Sequence, residues 1–346
     1  MLALRLFGPK DIRLVEVPAP QIGDDEILLK TKAASVCGTD IRMWQNGYKN
    51  VDAEHPLTLG HEFAGVIAKV GSNVPFYQEG MSIAMQPNIG CGICDRCVSG
   101  NQHLCDEYKA FGINMDGAFA EYIRIPSAAI SHGNLMVIPE HVTFEEASIA
   151  EPLSCVYNGF SKCFVKPGEY ALVVGAGPIG LMHAILLKMA GASVLINDLS
   201  EERLAICRRI LPGAITYSGD DLPGFVLRQT HGQGLDVAIT AAPVPQIQSA
   251  MLALMNYGGR INFFGGVPDS KQPVPINTNL IHYKELYLTG STRSSIMQFR
   301  KALSFVGQKL IDLSGIVTDR YTLDKAPEAF ENSKNARGLK HTIVFR

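Results

Sequence analysis

The sequence predicts an α/β protein of two domains, one mostly β and one built on a doubly wound parallel sheet. Three observations predict it. The 346 residues exceed one ordinary core of roughly 100–200 residues. The first third reads as short β runs separated by Pro and Gly turns. From about Pro167 apolar strands and helices alternate, the pattern of a parallel sheet covered on both faces. The expected division is 1–150 with 292–346 for the mostly β domain and 151–291 for the parallel-sheet domain.

Composition narrows the function class. Hydrophobic residues make up 47% and charged residues 18%, with a formal net charge of −2, so the chain is globular and has no electrostatic case for nucleic acid. The N-terminal run carries Arg5 and reaches Gly8-Pro9 early, unlike a signal peptide. Ala171–Leu187 is apolar but falls just short of the usual ~18–20 residues of a membrane span, and a Gly-rich turn breaks it. The expectation is a cytoplasmic protein with no membrane or nucleic-acid partner.

The β runs begin at Ile12–Val17 and Glu26–Ala33, separated by Pro18, Pro20 and Gly23-Asp24-Asp25. Cys37-Gly38-Thr39-Asp40 follows. It offers a thiolate, a hydroxyl within reach of a substrate oxygen, and a carboxylate able to orient a metal-bound histidine. Gly60-His61-Glu62 then sets an imidazole beside a carboxylate, a common zinc pair, among Gly60, Gly65 and Gly71.

Of the eight cysteines, four fall at Cys91, Cys94, Cys97 and Cys105. This spacing closes a tetrahedral thiolate shell around zinc and leaves no open position, which makes the site structural. An iron–sulfur cluster, which also uses four cysteines, and unpaired thiols are the alternatives. Asp116–Tyr122 returns to a β pattern. Val142–Ala147 starts a helix, with Thr143 as N-cap and Glu145-Glu146 in its first turn. Glu151 lies between apolar residues and Pro152, where burial demands a partner such as a metal or a substrate hydroxyl.

Tyr170–Gly175 reads as a strand, followed by Gly175-Ala176-Gly177-Pro178-Ile179-Gly180 and an apolar helix to Met189. Ser193–Asn197 is the next strand and closes on Asp198. Strand, glycine turn, helix, strand and acid form the dinucleotide-binding fingerprint. The cofactor residues are therefore Gly175, Gly177, Pro178, Ile179, Gly180 and Asp198. Asp198 accepts ribose hydroxyls and repels a 2′-phosphate, which favours NAD over NADP. Arg203 either lies against the adenine or is a helix-surface charge. Asp236–Thr240, Gln246–Met255, Gly258–Phe264 and Leu286–Leu288 continue the alternation. Val317–Arg320 and Gly338-Leu339-Lys340 read as edge-strand and loop features.

Taken together, these motifs resemble the zinc-containing medium-chain dehydrogenases, closest to the sorbitol (polyol) dehydrogenase branch. Glu151-Pro152-Leu153-Ser154 and Glu328-Ala329-Phe330 belong to the likeness, which runs nearly end to end. The resemblance implies a GroES-like catalytic domain with an inserted Rossmann domain. It implies a catalytic zinc held by Cys37, His61 and Glu62 with Glu151 near enough to ligate, Asp40 behind the ligands, and catalytic roles for Thr39, Glu62 and Glu151. It also implies two zinc ions per chain, NAD, and a homotetramer or homodimer. The implied chemistry is Lewis-acid activation of an alcohol and hydride transfer to nicotinamide C4.

Two departures bear on the substrate. Where the branch has His-Tyr-Trp, this chain has Arg42-Met43-Trp44, and Arg cannot serve as a base. Arg42 either binds a phosphate or carboxylate of the substrate or is a surface charge paired with an acid. Arg293 stands where the branch lines its pocket with arginine, but Ser294 replaces the tyrosine that follows. The expected substrate is a polyol, sugar acid or sugar phosphate oxidised at a secondary alcohol. Threonine-dehydrogenase-like amino-alcohol oxidation and a non-catalytic binding protein are the alternatives.

Overall fold

The computed structural model describes residues 1–268, 270 and 272–346. The chain forms two compact units, residues 1–154 with 294–346 and residues 155–293.

The first unit is built on a seven-stranded sheet. Its order is Leu135–Val137, Ser82–Met85, Glu62–Val70, Ile27–Ser35, Lys340–Val344 and Val317–Tyr321, and Tyr122–Ile125 also pairs with Ile27–Ser35. Ile27–Ser35 is central because its alternate residues are buried, as a strand with one face on a core requires. Leu4, Leu29, Phe63, Phe111, Phe119 and Phe330 fill that core. Two sequence expectations change here. Lys340 opens an interior strand between Ile27–Ser35 and Val317–Tyr321, so only the latter is an edge. Asp116–Glu121 is mostly loop, with one bridge from Ala120 to Ala3, and the strand starts at Tyr122. The Asp116 carboxylate accepts from the Thr58 N–H at 2.8 Å, and Gly117 N–H donates to the Thr58 carbonyl at 2.8 Å, so these groups tie the segment to the distant strand Leu57–Thr58.

The Thr143 helix start is as expected. Thr143 Oγ1 accepts from the Glu146 N–H at 3.2 Å, and the Glu146 carboxylate accepts from the Thr143 N–H at 3.1 Å. The next helix, Ala150–Ser161, carries Glu151 in its first turn.

The second unit holds a six-stranded parallel sheet. Its order is Ile215–Tyr217, Ser193–Asn197, Tyr170–Val174, Leu235–Thr240, Met255–Phe263 and Tyr287–Gly290. Strand order reverses between Tyr170–Val174 and Leu235–Thr240, the switch point at which doubly wound sheets bind ligands. Leu172, Val173, Val237 and Ala238 are fully buried, which explains the unbroken apolar runs in the sequence. Among the described residues no helix is long and apolar enough to cross a membrane.

Candidate active site

Cys37 is the N-cap of the helix Gly38–Asn46. The Asp40 carboxylate accepts from the Cys37 N–H at 2.9 Å and more weakly from the Gly60 N–H at 3.4 Å. One buried carboxylate thus ties the two segments that the sequence marks as metal-ligating. Gly60 has φ +94°, and a Cβ there would meet the Phe119 ring at 2.9 Å, so the turn before His61 requires glycine. His61 Nδ1 lies 3.4 Å from Asp40 Oδ1, which leaves Nε2 as its other possible donor. Donor atoms of Cys37, His61 and Glu62 all lie within 4.8 Å of one another.

Strand register brings a further residue to this point. Ser35 pairs with Glu62 on one side and with Thr342 on the other. Lys340, two residues before Thr342, therefore shares their face. Its ammonium donates to Glu62 Oε1 at 2.7 Å and to the Val36 carbonyl at 2.9 Å. Sequence reading missed Lys340, which bears no local motif and acts across the sheet.

The electrostatics ask for a cation. Asp40, Glu62, Glu151 and Lys340 are all buried. Asp40 and Glu62 both act on the one Lys340 ammonium, and packing acidic groups in such excess is costly in a low-dielectric interior. Burial pushes the Glu62 carboxyl well up, with Lys340 opposing. Burial also acts to raise the Cys37 thiol, but His61 and Lys340 outweigh it and bring it to about 7. His61 is pushed well up, because Asp40 and Cys37 outweigh burial. Its Nδ1 makes no hydrogen bond among the described residues, although Asp40 Oδ1 lies 3.4 Å away, and Glu62 Oε2 lies 2.5 Å from the Lys340 ammonium. A thiolate, an imidazole and a carboxylate are the three donor types zinc takes, and three ligands leave its fourth position open. The residues fit a catalytic zinc.

Glu151 is 6% exposed and lies close enough for its charge to raise the Glu62 carboxyl, but it is not in the 4.8 Å donor group. Thr39 stands two residues beyond Cys37, and its Oγ1 accepts from Arg42 Nη2 at 2.8 Å. Arg42 is exposed, and no carboxylate among the described residues forms an ion pair with it. Arg293, in the second unit, has left-handed backbone (φ +53°), and its carbonyl accepts from Asn158 Nδ2 at 3.0 Å. A surface cavity of about 280 Å³, lined by His141, Val142, Glu146, Val306, Lys309, Ile311 and Asp312, contains none of these side chains.

Cys91, Cys94, Cys97 and Cys105 form the second donor group. Cys91 Sγ lies 3.9 Å from Cys97 Sγ, and Cys94 Sγ lies 3.8 Å from Cys105 Sγ. A tetrahedron with bonds of about 2.3 Å has edges of about 3.8 Å. All four sulfurs lie within 4.8 Å of one another, which fits one zinc ion, whereas a cluster spreads its thiolates over two or more irons and holds some of them farther apart.

In the second unit the glycine turn follows its expected mechanics. Gly175 has φ +106° and donates its N–H to the Asn197 carbonyl at 2.7 Å. A Cβ on Gly180 would stand 1.7 Å from the Gly175 carbonyl oxygen. Gly177 caps the helix Pro178–Met189, whose N-terminus presents free N–H groups, with Pro178 and Ile179 in its first turn. Asp198 already accepts from the Ala176 N–H at 2.6 Å and the Ser200 N–H at 2.8 Å. It therefore pins the turn to the adjacent strand, and each oxygen keeps a lone pair for a ribose hydroxyl. The Arg203 guanidinium lies 3.8 Å from the Cβ position of Gly177, beside the turn.

Comparison with known proteins decides the family. The alcohol dehydrogenase GroES-like domain model matches residues 23–135, and the zinc-binding dehydrogenase model matches residues 178–308. The sorbitol dehydrogenase of Bacillus subtilis (strain 168) is 31% identical over 339 residues, 96% of this chain and 93% of that protein. The chain belongs to the zinc-containing medium-chain dehydrogenases. The L-threonine 3-dehydrogenase of Cronobacter sakazakii is equally similar to this dehydrogenase, 31% identical over 345 residues and covering 98% of each chain. Among solved structures, a zinc-binding dehydrogenase of Sinorhizobium meliloti 1021 bound to NADP has TM-score 0.90 at 29% identity, covering 99% of each chain. An alcohol dehydrogenase of Escherichia coli CFT073 complexed with NADH has TM-score 0.88 at 27% identity, covering 100% of this chain and 99% of that one. The protein is thus an oxidoreductase of the GroES-like and Rossmann architecture, with zinc and a nicotinamide dinucleotide as cofactors.

Proposed function

We propose that this dehydrogenase oxidises a secondary alcohol of a sugar acid, sugar phosphate or related polyol derivative to the ketone, with NAD as hydride acceptor. The observation that carries the reading is the Cys37–His61–Glu62 donor group, with the Thr39 hydroxyl two residues from the thiol and Arg42 hydrogen-bonded to it.

Zinc, when bound there, supplies Lewis acidity that makes an alcohol easier to deprotonate. The protein's own groups do the rest. Asp40 holds the Cys37 backbone and stands behind His61. Lys340 offsets the charge of Glu62. Because Arg42 donates to Thr39 Oγ1, the Thr39 proton is free to point at a substrate oxygen. Arg42 has no lone pair to carry a proton onward, so Glu151 is the acceptor this reading assigns. Asp198 favours NAD over NADP, its remaining lone pairs suiting hydroxyls and its charge opposing a phosphate.

Arg42, free of a carboxylate partner among the described residues and one hydrogen bond from Thr39, recognises an anionic substituent of the substrate. Arg293 is the second candidate for that task. The equal identity to an L-threonine 3-dehydrogenase favours a second reading, oxidation of an amino alcohol whose carboxylate meets Arg42. The test is NADH formation across neutral polyols, their phosphates, sugar acids and L-threonine. Arg42→Ala should raise KM for anionic substrates about tenfold or more, the worth of a charge-assisted hydrogen bond. The same rise for neutral polyols would refute anion recognition by Arg42.

A further inference from the structure

The chain leaves the first unit at Ser154 and re-enters it at Ser294, and these two residues touch. Both are fully buried, and their hydroxyl oxygens lie 2.5 Å apart. Ser154 Oγ also lies 2.6 Å from the Glu151 carbonyl. Gln86 Nε2 donates to the Ser294 carbonyl at 2.7 Å and to Ser294 Oγ at 3.2 Å. The Asn88 N–H donates to Gln86 Oε1, which fixes the orientation of that amide.

Proton counting gives this chain a single direction. A hydroxyl has one proton. A carbonyl only accepts, so Ser154 donates to Glu151. Ser294 must then donate to Ser154, and Ser294 Oγ accepts from Gln86. Every member is satisfied, and removing one hydroxyl leaves buried partners without a bond. A parallel chain runs nearby. Thr342 Oγ1 lies 2.7 Å from Ser35 Oγ, Ser35 Oγ lies 2.8 Å from Ser148 Oγ, and Ser148 donates to the Glu145 carbonyl at 2.7 Å. That second chain holds the preceding helix, Phe144–Ser148.

We propose that Gln86, Ser294 and Ser154 are positioning residues that hold the first turn of the helix Ala150–Ser161, and with it the Glu151 carboxylate, in its working place. The proposal rests on the reading above that Glu151 acts in the reaction. The chain ends on the backbone of Glu151 itself, so slack in it passes to the turn from which that side chain projects.

The experiment compares Ser294→Ala with the isosteric control Thr342→Val, each in the wild-type and Glu151→Ala backgrounds, on the NAD-linked reaction. Ser294→Ala should lower kcat about tenfold, equivalent to about 1.4 kcal/mol, with KM within twofold. In the Glu151→Ala background it should cost less than twofold. Cobalt(II) substituted at the Cys37 site should change its visible absorption in Ser294→Ala and in Glu151→Ala, but not in Thr342→Val. Thr342→Val should lower Tm and leave kcat unchanged. An equal loss from Ser294→Ala in both backgrounds, or an unchanged cobalt spectrum, overturns the positioning role alone. Wild-type kcat in Glu151→Ala overturns the reading of Glu151 and the positioning role with it.

Discussion

His183 is fully buried on the helix that follows the glycine turn, and neither ring nitrogen has a hydrogen-bond partner among the described residues. Its ring meets the edge of Phe264 at 4.7 Å between centroids. Burial alone lowers its pKa to about 3, so the folded protein holds it neutral. The unfolded chain protonates it near pH 6.5 and so binds more protons below that value. Stability contributed by the neutral ring is present above pH 6.5 and declines as pH falls towards 3. Between pH 7 and pH 5 the loss is about 2 kcal/mol. Urea midpoints at the two pH values should show it, and His183→Leu should remove most of the difference. An unchanged pH dependence in that variant would assign acid lability to other groups. The candidate metal ligands are different in kind. Cys37, His61 and Glu62 announce themselves by residue type and neighbours, whereas His183 and Lys340 become notable only through burial and partners.

At the scale of elements, the glycine turn and its helix make the sharpest case. The space for a side chain at Gly180 is already taken by a backbone carbonyl 1.7 Å away, and backbone cannot turn aside as a flexible side chain can. Gly180→Ala must push the helix Pro178–Met189 off the strand Tyr170–Val174. Overpacking of this kind costs about 3 kcal/mol. Urea denaturation should record that loss, and NADH binding should weaken with it. Retained NADH affinity would mean that helix placement does not control the cofactor site. Elements with strong periodicity lie close to where the sequence puts them: the expected strand Ser193–Asn197 has those bounds, and the expected helix Gln246–Met255 spans Pro245–Leu254. The helix Gly38–Asn46 carries a weaker sequence signal, because its start is set by Cys37 and Asp40 and its buried face by Ile41, Met43 and Trp44. Asp116–Glu121 is the opposite case: alternating side chains suggest a strand, but long-range bonds to Thr58 engage the Asp116 carboxylate and the Gly117 N–H, which distance along the chain does not reveal.

For the whole molecule, the two donor groups make zinc content a direct measurement. The wild-type chain should carry two zinc ions, one at Cys37, His61 and Glu62 and one at the four cysteines. His61→Ala should abolish turnover and retain one zinc, because the four-cysteine shell is complete without it. A variant retaining two ions and its activity would dismiss the Cys37 group as the reaction centre. Elemental analysis beside an NADH assay distinguishes these results.

Residue types and short spacings were enough to reveal the family, the metal chemistry and the dinucleotide turn, because each of those sites draws its key groups from neighbours in the chain. The folded sheet was needed to pair Glu62 with Lys340 across 278 residues and Ser154 with Ser294 across 140. Those partnerships follow from strand register and burial, which place residues by geometry, and distance along the chain carries no record of either.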